Sequence, residues 1–251
     1  VNPKTINEIC RQKVGYLSTN TTIYIGKQDN KTMKIIKRIL KNNPSKQIYY
    51  GSGWIIKRSG NKRIYSDKRG KIVLKSKKII SDALWENVGL AIRVARDFKI
   101  SKKNILNAIR NLQFEGRIHY IDGKLTKSLH KGEQLLIDGC SSEASAKNLA
   151  DYLKTIKVPK YGIWSMIKNK KPELFIKKLK GIFEKVITVP IDREESSISP
   201  KLLHRLAKQN RINADTAENF DQAIKKISSK QKKIICAFGS LYNCGNILNK
   251  N

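Results

Sequence analysis

The chain has 251 residues and a formal net charge of +32, from 52 Lys+Arg against 20 Asp+Glu. Its 39% hydrophobic content is too high for a disordered polyelectrolyte, and this length allows one large or two ordinary domains with real cores. No stretch approaches the roughly eighteen apolar residues of a membrane span, and the Val1-Asn2-Pro3-Lys4 start carries no apolar leader; no membrane partner and a cytoplasmic location are therefore expected.

The basic excess is spread along the chain. Residues up to 118 hold 27 basic against 7 acidic side chains, and the remainder 25 against 13. There are 40 lysines and 12 arginines, with abundant Ile and Asn, a bias that an AT-rich genome produces without selection for binding. Short clusters such as Lys75, Lys77, Lys78 and Lys168, Lys170, Lys171 are not accompanied by an RNP pattern, zinc-finger spacing or a basic zipper. A solvated lysine surface is the plainer reading, and any contact with nucleic acid is expected to be non-specific. Cys10, Cys140, Cys236 and Cys244 are scattered, without a C-x-x-C pair or a His at ligand spacing, so they read as reduced thiols.

In chain order, the first part opens with a helix over Thr5 to Gln12 and a short strand, Thr22 to Ile25. A helix from Lys31 to Lys41 stops at Asn42-Asn43-Pro44. Strand-like runs follow at Gln47 to Tyr50, Gly53 to Lys57, Arg63 to Ser66 and Lys71 to Leu74, separated by Gly and Asn turns. Amphipathic helices over Ser81 to Phe98 and Ser101 to Leu112 complete it.

From about residue 118 the pattern alternates. Strands are expected at Gln134 to Ile137, Tyr161 to Met166, Lys185 to Val189 and Lys233 to Ala237. Helices are expected at Ser142 to Lys154, Pro172 to Glu184, Ser199 to Gln209, Thr216 to Ile227 and from Ser240 onward. Short apolar runs between helices of ten or more describe strands buried on both faces, so the second part reads as a Rossmann-like, mostly parallel α/β sheet with helices on both sides.

Ligands of open α/β sheets bind beyond the carboxyl ends of the strands. Leu135-Leu136-Ile137-Asp138-Gly139-Cys140-Ser141-Ser142 delivers an acid, a Gly and hydroxyls to the start of a helix. Asp138 there suits a ribose acceptor or, equally, a group that fixes the strand-to-helix turn. Ile234 to Ser240 repeats the arrangement around Gly239 and reads as core geometry. Neither G-x-x-x-x-G-K-[ST] nor G-x-G-x-x-G occurs in the sequence.

Five short segments share an order with one family. Ile9-Cys10-Arg11-Gln12-Lys13-Val14-Gly15-Tyr16 looks like I-A-x-E-K-A-G-I, and Ala83 to Val88 sits where the family has H-Q-x-x-N-A. Phe114-Glu115-Gly116-Arg117 looks like W-P-G-R at a hinge, Leu136 to Glu143 like L-D-G-A-H-N-P, and Phe238 to Gly245 like G-S-x-x-x-V-G. On these segments the chain resembles the folylpolyglutamate synthase/dihydrofolate synthase family of the Mur ligase superfamily, from the rear of the central domain to the C-terminus.

The resemblance implies that residues 1–118 are the rear of an α/β ATP-binding domain and 119–251 the C-terminal glutamate-ligase domain. It also implies ATP-dependent joining of L-glutamate to a folate or dihydropteroate through an acyl-phosphate. Lys13 matches a carbamylated lysine that helps hold Mg²⁺, and Asn87, Arg117 and Asp138 match the ATP contacts. An amide can bond a nucleotide, a guanidinium can neutralise phosphate charge, and a carbamate can supply the hard oxygen that Mg²⁺ takes. Lys13 is also readable as a solvated helix-end lysine, and Arg117 as an interdomain salt-bridge partner. Gln12, Ala83, Leu84, Glu115, Ser141, Ser142 and Glu143 depart from the pattern. With the family's P-loop part absent, the resemblance implies a truncated or split ligase inactive alone, with open sheet edges or poor order in residues 1–118. A separate chain supplying the P-loop would then be a partner. The alternative is a catalytically dead remnant that acts as a basic binding module for nucleic acid or another polyanion.

Overall fold

In the computed structural model, which describes residues 5–251, most helices begin at a side chain that accepts a first-turn N–H. Helices α1 (Ile6–Val14), α2 (Asn30–Ile39), α3 (Asp82–Asp97) and α4 (Lys102–Asn111) start at Thr5, Asp29, Ser81 and Ser101 in this way. Such caps satisfy amides that the helix itself leaves without partners. The chain divides between Gln113 and Phe114 into two units, slightly ahead of the change of texture near 118.

In the first unit, strands β1 (Thr22–Ile25) and β2 (Lys46–Tyr49) form a two-stranded parallel sheet. Strands β3 (Trp54–Ser59), β4 (Lys62–Asp67) and β5 (Gly70–Leu74) form an antiparallel meander. Cys10, Ile23, Ile25, Ile36 and Leu40 make the core beneath α1 and α2. On α3, Gly89 lets the helix backbone approach β3, since a Cβ there would meet Trp54 and Ile56.

An ion network ties α3 to the strands. The carboxylate of Asp67 accepts from Tyr65 at 2.8 Å and lies 3.4 Å from both Arg93 and Arg96. Asp97 accepts from Tyr24 at 2.7 Å and from Arg69 and Arg93 at 2.9 Å. Burial pushes the Asp97 carboxyl up, but Tyr24 and the two arginines outweigh it and hold it below its usual range. Buried charge survives here because each carboxylate has several donors.

The second unit is built on one sheet of order β10-β9-β8-β11-β7-β6. Its members are β6 (His119–Tyr120), β7 (Glu133–Asp138), β8 (Lys160–Trp164), β9 (Lys185–Thr188), β10 (Ala214–Thr216) and β11 (Lys233–Phe238). All pairings are parallel except β6 with β7. Every residue of β11 is buried, as its central place requires. Helices α5 (Glu143–Lys154), α6 (Pro172–Lys177), α7 (Pro200–Gln209), α8 (Phe220–Ile227) and α9 (Leu241–Lys250) connect and cover these strands. Trp164, Phe175, Phe183 and Phe238 stack together in the core.

Two expected helices are corrected. The segment expected as a helix from Pro172 to Glu184 is helical only to Lys177 and continues as turns. Gly181 adopts φ +74, and hydrogen bonds from Leu179 to Ile176 and from Ile182 to Leu179 keep a three-residue spacing that mimics a helical stripe. The helix expected from Thr216 begins at Phe220 behind the Asn219 cap, because Thr216 closes β10. Strands β6 and β10 escaped the sequence reading, as two or three residues cannot display alternation.

Glu133 and Lys233 are direct partners in the β7–β11 register. Their side chains are buried and 3.6 Å apart, and Lys233 Nζ also donates to the Ile227 carbonyl at 2.8 Å and to Ser229 Oγ. Glu133 accepts from Ser228 Oγ, Ser229 N and His130 N at 2.6 to 2.9 Å. Burial pushes the Glu133 carboxyl up, but these donors and Lys233 overcome it and hold it below its usual range. Lys233→Ala would leave a buried carboxylate without its cation, and a loss of about 3–5 kcal/mol in urea unfolding of the full chain is expected. A depressed carboxyl stabilises the fold above its unfolded pKa. Wild-type stability should therefore fall as pH drops below the ordinary carboxylate range, more steeply than in Glu133→Gln/Lys233→Met.

Candidate functional site

The carboxyl ends of β7 and β11 lie side by side, with Asp138 opposite Phe238 in the register. Asp138 is buried at the last position of β7, and both its oxygens are engaged. Oδ2 accepts from the Ile118 amide and Oδ1 from the Cys140 amide, each at 2.8 Å. A third bond, Gly139 N to Gly116 O at 2.7 Å, ties the Phe114–Ile118 segment to the strand end. Desolvation pushes the Asp138 carboxyl up, against the pull of these amides and the nearby Arg117.

This knot has an unusual backbone. Ile118, a β-branched residue, adopts φ +46, a conformation that costs about 1–3 kcal/mol unless its surroundings hold it. What holds it is the pair formed by its amide with Asp138 and its buried side chain. Arg117 is thereby fixed in direction. Its guanidinium donates to Gly116 O at 3.2 Å and lies against Gly139, where an added Cβ would meet Arg117 Nη1 and the side chain of Leu241.

Leu241 opens α9, whose N-cap, Ser240, makes no capping hydrogen bond. The hydroxyls of Ser240 and Ser165 and the indole N–H of Trp164 are buried with no partner among the described residues. All three lie around Gly239, whose φ of +105 only glycine adopts readily and whose added Cβ would run into the Ser165 carbonyl and the Trp164 ring. A half-buried guanidinium, a helix N-terminus with free amides and unmatched hydroxyls together form a place suited to an anionic, hydrogen-bonding ligand.

Of the sequence-derived site residues, Arg117 and Asp138 are brought together here. Lys13 and Asn87 belong to the first unit. Lys13 is exposed on the last turn of α1, and Asn87 is exposed on α3, next to Glu86, which pairs with Lys27 at 2.7 Å. Among the described residues no group of three or more His, Cys, Asp or Glu is arranged to hold a metal ion. Lys13, even as a carbamate, would supply only part of the octahedral oxygen shell that Mg²⁺ demands, so these residues alone do not make up a magnesium site. Ser165 was missed in the sequence because Tyr161 to Met166 reads as uninterrupted strand; the signal available was a lone hydroxyl at the end of an apolar run. The four cysteines are free and buried, and burial holds the thiols of Cys140 and Cys236 protonated. No helix among the described residues is long and apolar enough to cross a membrane.

Two substitutions test the knot. Asp138→Ala strands two buried amides without an acceptor, at about 1–3 kcal/mol each, and should lower the urea midpoint accordingly. Gly239→Ala combines a disfavoured φ with a backbone clash and should cost about 2–5 kcal/mol in the same measurement.

No protein-family profile and no curated protein sequence matches this one. Solved structures do match. FolC of E. coli, in complex with DHPP and ADP, matches with a TM-score of 0.82 and 14% identity, over 97% of this chain and 56% of that one. Folylpolyglutamate synthase of Mycobacterium tuberculosis, complexed with ADP and AMPPCP, gives 0.81 and 16%, over 100% and 60%. The bifunctional folylpolyglutamate synthase/dihydrofolate synthase of Yersinia pestis, complexed with AMPPNP and Mn, gives 0.80 and 13%, over 97% and 56%. This chain thus spans 56–60% of the length of these structures. Over that length it has the α/β fold of the folylpolyglutamate synthases.

Proposed function

We propose that this chain carries the glutamate-ligating unit and part of the nucleotide-facing surface of an ATP-dependent ligase that joins L-glutamate to a folate or dihydropteroate carboxylate. The observation that carries the proposal is the extent of the fold likeness, 97–100% of the chain at TM-scores of 0.80–0.82. The knot at the carboxyl ends of β7 and β11 supports it, because that is where α/β sheets present ligands. In this reading residues 1–118 belong to the ATP-binding domain and 119–251 to the glutamate-ligase domain.

Arg117 would neutralise phosphate charge, helped by the positive N-terminal end of α9. Asp138 would hold that arginine in place through the Ile118 amide and offer its remaining lone pairs to a ribose hydroxyl. The unmatched hydroxyls of Ser165 and Ser240 would bond polar groups of the ligand. With no phosphate-cradling glycine loop in the sequence, phosphoryl transfer needs such a loop from outside these 251 residues, and a separate polypeptide is one source of it.

Calorimetric titration with ATP tests the reading. The wild-type chain is expected to bind ATP, and Arg117→Ala to weaken binding by about tenfold or more, the effect of removing a charge-assisted phosphate contact. Absence of binding, or equal affinity in the variant, would sink it.

A further inference from the structure

In the first unit, a cavity of about 510 Å³ is lined by Arg69, Lys71, Arg96, Lys99 and Lys102, with Ile72, Ile100 and Ile105 as its apolar lining. The five cations come from the β4–β5 turn, β5, the end of α3, the turn after it and the first residue of α4. None of Asn87, Arg117, Asp138, Ser165 and Ser240 lines it.

The arginines and the lysines are held differently. Arg69 and Arg96 each donate to the other's backbone carbonyl, and both lean on carboxylates: Arg69 on Asp97 at 2.9 Å and Arg96 on Asp67 at 3.4 Å. They form a fixed frame. Asp67 and Asp97 also serve Arg93, so three arginines meet two carboxylates and one positive charge is left over. Lys71, Lys99 and Lys102 are exposed, and among the described residues no acidic side chain forms an ion pair with them. The rim therefore carries three further positive charges without compensation.

Lys99 stands at φ 59, the left-handed position after a helix that glycine usually fills. Its amide bonds Arg96 O at 3.0 Å and that of Ile100 bonds Ala95 O at 3.0 Å, so the turn closes α3 as a glycine would. A cationic side chain is kept here at a conformational cost of about 1 kcal/mol. Lys102, which lines the cavity, opens α4, whose N-terminal end is a positive pole.

We infer that this cavity binds a chain of successive phosphates, with the arginine frame as its rigid wall and Lys71, Lys99 and Lys102 as its mobile charges. Several point cations a few residues apart suit repeated single-site anions better than one bidentate carboxylate, which would call for a free guanidinium. Free polyphosphate and a phosphodiester strand share this chemistry.

The probes are inorganic tripolyphosphate and a short oligothymidylate, titrated into the full chain over a range of salt. Lys71→Ala/Lys99→Gly/Lys102→Ala is compared with Lys157→Ala/Lys180→Ala/Lys208→Ala, which removes the same charge from exposed positions of the second unit. The cavity triple is expected to weaken tripolyphosphate binding by about tenfold and to flatten the salt dependence, while the control triple changes it less than about twofold. Single Lys71→Ala and Lys102→Ala variants, each with about a twofold loss, guard against misfolding of the triple. Tighter oligothymidylate binding with a steeper salt slope assigns a phosphodiester strand; binding of tripolyphosphate alone assigns free polyphosphate. Equal loss in both triples, or no binding by wild type, overturns the proposal and leaves a diffuse charge effect.

Discussion

The constraint on which the second unit turns is that a backbone amide buried at the end of a parallel strand must find an acceptor. At the carboxyl end of β7 that acceptor is the carboxylate of Asp138, which takes the amides of Ile118 and Cys140 at once. The pairing draws the Phe114–Ile118 segment onto the strand end and permits β6 to add antiparallel to β7. It also holds Ile118 in a backbone conformation that no propensity favours. Arg117 gains its direction from this arrangement rather than from any salt bridge of its own. Position, not charge alone, is what makes an arginine useful toward a phosphate.

The first unit solves a different problem with related means. Its helix α3 buries Leu84, Trp85, Val88 and Ile92, and a network of arginines, aspartates and tyrosines adds directed bonds to that packing. Such a network is stable because every carboxylate is multiply served, and it has a by-product. With fewer carboxylates than guanidinia, the surplus charge emerges at the surface, where unpaired lysines surround a cavity. Charge that composition attributes to genomic bias becomes locally organised once the chain is folded.

Much was legible beforehand. The helices expected from Thr5, Ser81, Ser101, Ser142 and Ser199 open on the hydroxyl residues that cap α1, α3, α4, α5 and α7, because capping is a local interaction. Short apolar runs marked β7, β9 and β11, because strands buried on both faces are built largely of apolar residues. The boundary errors fell where local and tertiary signals diverge. Three-residue turns after Lys177 carried a helical spacing, and β10 was too short to show a period of its own.

The sequence by itself determined the alternation of strand and helix, the apolar composition of the sheet, and the absence of a glycine-rich phosphate loop, since each depends on residues near one another in the chain. The tertiary structure alone decided that β11 lies between β7 and β8, that Asp138 spends its oxygens on amides as well as marking a strand end, and that Ser165, Ser240 and Trp164 meet around Gly239 with polar atoms to spare. It also separated Lys13 and Asn87 from Arg117 and Asp138 into different compact units. The physical reason is that hydrogen-bond satisfaction and charge pairing are settled by which distant segments touch, and that is a property of the packed chain rather than of any window along it.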